Sequence, residues 1–150
     1  NNSTADYPGQ HHWLELDNNP SLEKLDDFNK PLIAWQRITN KNKFCETTPG
    51  MVTLDSMAYM KITDKQKKWI LAVLNSTLIY YWLRWNVHQY GSTGFRLSNQ
   101  YVEKIPIPII DESKLLSINN FINNRNYKKL DLLVFEIFGL SDEEILFICQ

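Results

Sequence analysis

The 150-residue chain has little of what usually announces a function. Its only two cysteines, Cys45 and Cys149, stand in no metal-ligand or redox spacing, which suits a reducing cytosol rather than a disulfide scaffold. Its longest apolar stretch, Trp69 to Leu83, is interrupted by Asn75, Ser76 and Thr77 and is too short to span a bilayer. No basic–apolar–small segment opens the chain, so no secretory leader is expected. The formal charge of −1 gives no overall excess of either sign. Nucleotide-cradling G-x-G-x-x-G and G-x-x-x-x-G-K-[ST] loops are missing, as are H-E-x-x-H and G-x-S-x-G. The first residue is Asn1 rather than an initiator Met, and the chain is expected to be a piece of a larger protein.

What is present describes one compact domain. Apolar residues make up 43% and aromatics 13%, enough for a real core, while 22% charged residues make the composition globular rather than disordered. The near-zero charge conceals a strong asymmetry. Residues 1–29 balance at −5, residues 30–104 at +7 and residues 105–150 at −3. A basic middle between acidic flanks suits a nucleic-acid reader on a neutral scaffold, or equally a solvated lysine-rich face.

Local patterns suggest an α+β fold: a small mixed sheet packed on a central amphipathic helix, with C-terminal helices. Residues 1–29 read as an acidic, irregular lead-in with a short strand at Trp13–Leu16. Pro31–Ile38 reads as a strand buried on both faces, Thr39–Lys43 as a basic turn, Phe44–Thr48 as a strand and Met51–Ile62 as extended structure. Thr63 and Gln66 have capping-box spacing, and the helix they open places Ile70, Val73, Leu74, Thr77, Leu78 and Tyr81 on one stripe. Gln89–Gln100 is expected as a polar loop. The alternating prolines of Tyr101–Pro108 predict an edge strand or polyproline-like run. Residues 111–150 read as helices, with Gly139 ending one and Ser141–Glu144 capping the next. The expected division is a lead-in over 1–29, a recognition core over 30–110 and a helical segment over 111–150.

Candidate chemistry is sparse. His11 and His12 with Asp6 or Asp17 lack a third well-spaced ligand, and two exposed loop histidines are the better reading. His88 beyond the long helix has no nameable nucleophile. Glu143 and Glu144 suit a helix cap better than an acid–base pair. Asp55, Glu46 and Lys61 fit a nuclease set poorly. Of the aromatics, Trp85, Tyr90 and Phe95 are the fair candidates for stacking on bases. The more informative cluster is basic and polar: Arg37, Asn40, Lys41, Asn42 and Lys43 around one loop, with Gln89, Arg96, Asn99 and Lys104 along a second. Arg, Asn and Gln can make bidentate contacts with guanine and adenine edges, and Lys suits phosphates. These nine are the candidate DNA-binding residues; no catalytic or metal-ligating residue is expected.

Four ordered blocks then resemble a known family. Lys30-Pro31-Leu32-Ile33-Ala34-Trp35-Gln36-Arg37-Ile38 resembles the K-P-x-I-x-W-Q-x-I strand of the TaqI-like C-terminal specificity domain. Leu71–Ile79 is similar to that family's L-x-x-I-L-N-S-x-L-x helix. Gly94-Phe95-Arg96-Leu97 followed by Tyr101–Pro108 resembles its segment ending in L-P-I-P, and type I specificity subunits carry a comparable run. Leu130–Ile145 is similar to its closing L-D-x-L-V-Y-E-L-Y-G-L-T-E-E-E-I. The family occurs in type IIG restriction–modification enzymes and adenine-specific DNA methyltransferases. The resemblance implies target recognition on double-stranded DNA for an upstream methyltransferase domain of the same polypeptide. S-adenosylmethionine would be bound in that upstream domain and not here. It also implies a cytoplasmic, non-catalytic fragment of a parent that methylates adenine, with or without an endonuclease activity. The blocks are mostly structural and carry over no reading residue. The alternative is a protein-interaction module docking through Phe135 and Phe138 on its C-terminal helices.

Overall fold

The computed structural model describes residues 22–62, 65–92 and 94–150. The lead-in features at Trp13–Leu16 and His11–His12, and the capping residue Thr63, lie outside them. After a short helix α1 (Leu22–Asp27), strand β1 (Leu32–Gln36) runs between β3 (Phe44–Glu46) and β4 (Met57–Lys61) in an antiparallel sheet of order β3-β1-β4. Ile33 and Trp35 face the main core, and Leu32 and Ala34 are buried on the opposite face, so this strand is covered on both sides as its sequence suggests. Register pairs set Ala34 between Cys45 and Tyr59.

The strand expected to run on to Ile38 divides at Arg37. Strand β2 (Ile38–Thr39) belongs to a second antiparallel sheet of order β2-β6-β5, completed by β5 (Gln89–Tyr90) and β6 (Gly94–Arg96). Arg37 is the crossing point. Its N–H donates to Ser56 O at 3.0 Å beside the first sheet, and its carbonyl accepts from Leu97 N at 2.7 Å beside the second. The Trp35 indole N–H adds a buried bond to Leu97 O at 2.9 Å. The α+β class is as expected, with two small antiparallel sheets where a single sheet was anticipated.

The central helix is also divided. α2 (Lys67–Leu74) and α3 (Thr77–Asn86) meet at Asn75–Ser76. Ser76 is extended; its Oγ accepts from Ile79 N at 3.2 Å and donates to Val73 O at 2.7 Å, closing one helix and opening the next. Asn75 turns its amide to the backbone of Phe44, accepting from its N–H at 2.9 Å and donating to its carbonyl at 3.0 Å. The break rotates the apolar stripe: Trp69, Ala72, Val73, Leu74, Ile79 and Leu83 are buried, whereas Ile70, Leu78 and Tyr81 are only half-buried.

Two extended readings are corrected. Residues 51–56 form no strand; a turn at Asp55–Ser56 precedes β4. The 101–108 segment begins as the end of a short helix, α4 (Asn99–Val102), followed by a turn, and its proline part pairs with no strand. Prolines cannot donate to a ladder, but their carbonyls remain acceptors, and Trp69 Nε1–H binds Pro108 O at 2.7 Å. Helices α5 (Glu112–Asn123), α6 (Tyr127–Phe138) and α7 (Asp142–Ile148) finish the chain. Asp111 caps α5, Gly139 ends α6 at φ 72°, and Ser141 with Glu144 forms a capping box on α7. Ile118, Leu130 and Val134 from α5 and α6 join Trp35, Trp69 and Leu97 in one hydrophobic cluster.

Candidate nucleic-acid interface

The crossing between the two sheets leaves a cleft of about 510 Å³ beside it. Arg37, His88, Arg96, Ser98, Asn99, Gln100 and Tyr101 line it. Arg37 comes from the sheet junction, Arg96 from the end of β6, and Asn99–Tyr101 from the first turns of α4. The Arg37 Nε–H donates to Met57 O at 3.0 Å, which holds the guanidinium at Nε while its terminal nitrogens keep their own donors. Arg96 is exposed, and its N–H is held by His88 O at 3.1 Å. The His88 ring stands edge-on to Tyr101 with centroids 5.8 Å apart. Ser98 Oγ is buried with no hydrogen-bond partner among the described residues. The lining holds two permanent positive charges and no carboxylate, with donors and acceptors from Ser, Asn, Gln and His between them.

Three of the nine sequence-nominated residues, Arg37, Arg96 and Asn99, therefore converge although 59 positions separate the two arginines. Gln89 is exposed on β5, its Nε2 donating to Arg84 O at 3.1 Å. Asn40, Lys41 and Lys43 are exposed in the β2–β3 loop, where Thr39 Oγ1 accepts from Lys41 N and shapes the turn. Asn42 differs from its neighbours. Its Nδ2 donates to Leu74 O at 2.8 Å and Ser76 O at 2.9 Å, so its amide pins the loop to the helix break and its donor is already occupied. Lys104 is exposed in the turn after α4, outside the cleft lining. His88, Ser98, Gln100 and Tyr101 were not among the nominated residues. The polar stretch Ser98-Asn99-Gln100-Tyr101, one residue after Arg96, was the available signal, divided by reading a loop that ends at Gln100 and an extended run that begins at Tyr101.

Other expectations resolve as follows. Phe95 is 2% exposed and belongs to the core, so it cannot stack on bases, whereas Trp85 and Tyr90 are 75% and 54% exposed. Glu144 accepts from Ser141 N and Oγ in the capping box, which holds its carboxyl below its usual range. Glu46 pairs with Lys67 and Lys61 with Asp27, and β1 lies between the strands carrying Glu46 and Lys61, so the nuclease-like set does not converge. Phe135 is buried in the core, which removes it as a docking residue, whereas Phe138 is half-buried against the core and lines an apolar groove with Leu78, Tyr81 and Phe147. Among the described residues no helix is long and apolar enough to cross a membrane.

Comparison with known families matches residues 4–107 to the TaqI-like C-terminal specificity domain, more than half of the chain. The chain belongs to this family. No curated protein matches it. Membership gives the domain a role in the DNA sequence specificity of restriction–modification enzymes. The structure explains why the blocks that resemble the family are structural ones. The tryptophan of this specificity domain's first block, Trp35, ties the two sheets together. The Asn75-Ser76 pair divides and caps the central helices. Asp131, in the closing block that lies beyond the matched residues, accepts from Thr77 N at 2.9 Å, clamping α6 onto the start of α3.

Proposed function

We propose that this specificity domain grips double-stranded DNA and reads its base edges for an adenine-specific methyltransferase domain upstream in the same cytoplasmic polypeptide. The cleft that joins Arg37 and Arg96 across the sheet junction carries this reading. A planar guanidinium presents two parallel donors to guanine O6 and N7, and both arginines are mounted on hydrogen-bonded backbone. Lys41 and Lys43 supply phosphate contacts, which position the duplex without reading it. A methyltransferase that rotates its target base out of the stack needs such a separate surface to choose the site. S-adenosylmethionine is assigned to the upstream domain, and no residue of this chain is assigned to it. In this division of labour the present chain alone neither methylates nor cleaves DNA.

The test is selection of duplexes from a randomised pool by the full parent polypeptide, followed by binding at two salt concentrations. A defined sequence should emerge, with affinity that falls steeply as salt rises. Retention of the pool without sequence preference, or salt-independent binding, would refute the reading.

A further inference from the structure

The second sheet presents an outward face that carries exposed apolar side chains beside an arginine. In an antiparallel pair, directly opposed residues point to the same side. Ile38 opposes Arg96, and Tyr90 opposes Gly94, so these four share one face, while Phe95, between them on β6, turns inward and is buried. Ile38 is 50% exposed and stands beside the exposed Arg96 that lines the cleft. Gly94 has no room for a side chain, since a Cβ there would lie 2.8 Å from Tyr90 O and 3.5 Å from Thr39 O. Beyond Arg96 this face is therefore low until Tyr90. The result is a short ribbon edge carrying a branched apolar side chain next to an arginine, directly after the Arg37 crossing.

We propose that Ile38 is a specificity-determining residue that contacts the 5-methyl group of a thymine adjacent to the base read by Arg96. This rests on the DNA-reading role proposed above. Opposed Cβ atoms lie about 5 Å apart, comparable with the roughly 3.4 Å separating successive bases along a strand. The pair is thus spaced for neighbouring positions in a major groove that admits a β-ribbon. The thymine methyl is the one methyl group on a major-groove base edge, and an apolar side chain is its natural partner. Arg96 anchors the ribbon through polar contacts, and Ile38 adds a contact that depends on one methyl group.

The experiment uses the full parent polypeptide and its selected duplex, with each thymine replaced singly by deoxyuridine, which deletes only the methyl. One replacement should weaken binding about four-fold, the value of one buried methyl-sized group. Ile38→Ala should lose a similar factor on the thymine duplex and bind both duplexes equally, with unchanged affinity for unrelated DNA. Should the alanine variant lose all DNA binding, Ile38→Val makes the same comparison with the β-branch kept and a reduced thymine preference expected. If a defined site is selected but no single replacement matters, or if the Ile38 variants discriminate thymine from uracil as the parent does, Ile38 is not a reader while the domain's role stands. If no sequence preference emerges at all, the role itself fails and this inference with it.

Discussion

Replacing Arg37 by lysine tests the interface at its best-defined point. The backbone of Arg37 is held from both sides, through its N–H to Ser56 O and its carbonyl to Leu97 N, and its Nε is held by Met57 O. Lysine keeps the charge and stem length but loses the fork and the bond at its root. Because the Met57 bond is exposed, water replaces it, and stability should fall by no more than about 1 kcal/mol. Loss of a bidentate guanine contact should instead cost about 1–3 kcal/mol at a single base pair, roughly 5- to 150-fold in affinity. Arg96→Lys should do the same at a different base pair, since Arg37 sits at the sheet crossing and Arg96 at the end of β6. The assay is equilibrium binding of the parent polypeptide and each variant to duplexes substituted one base pair at a time. Each variant should show relaxed preference at one position and nearly intact affinity for unrelated DNA. If both keep the parent's preference and lose only overall affinity, the arginines hold phosphates and the proposed reading surface is wrong.

Lys41→Ala combined with Lys43→Ala should weaken binding to all duplexes alike and reduce the log–log salt slope by about 1.8 units; an unchanged slope places the phosphate contacts elsewhere. Trp35→Phe leaves the buried Leu97 carbonyl without its indole donor and shrinks a fully packed ring, a loss of about 2–4 kcal/mol. Hydrogen exchange at the β1 and β6 amides reads it, and unaltered protection of both strands would show that this bond does not join the sheets. For Glu144, hydrogen bonds from the Ser141 backbone N–H and hydroxyl depress the folded-state pKa, so the capping contribution is present above the ordinary glutamate range and lost as pH falls through the lowered value. Acidification below that range should fray α7, as followed by amide NMR shifts of Asp142–Ile145, and Glu144→Gln should remove this acid step; an acid step that persists in the variant assigns it to another group.

The elements written by short-range rules were legible in the sequence. Helix α6 with its Gly139 stop, the Ser141–Glu144 capping box and the doubly buried β1 depend on contacts within a few residues or on simple apolar pattern. The family-like blocks within residues 4–107 were legible for the same reason, because they encode packing and caps. The candidate site was legible only by residue type. Composition put Arg37, Arg96 and Asn99 forward but placed Asn42 beside them, although its amide is occupied by Leu74 and Ser76 carbonyls more than 30 positions away. Apolar spacing predicted one long helix, but the chain divides it because Asn75 pairs with the Phe44 backbone, a partner 31 positions earlier. Exposure of Phe95 was anticipated from its glycine-bearing loop, yet β6 pairs on both edges and turns that ring into the core. Sequence determines which side chains can cap, alternate or carry charge. Tertiary structure alone decides which remain free, because a buried hydrogen-bonding group must find a partner, and here those partners come from distant parts of the chain.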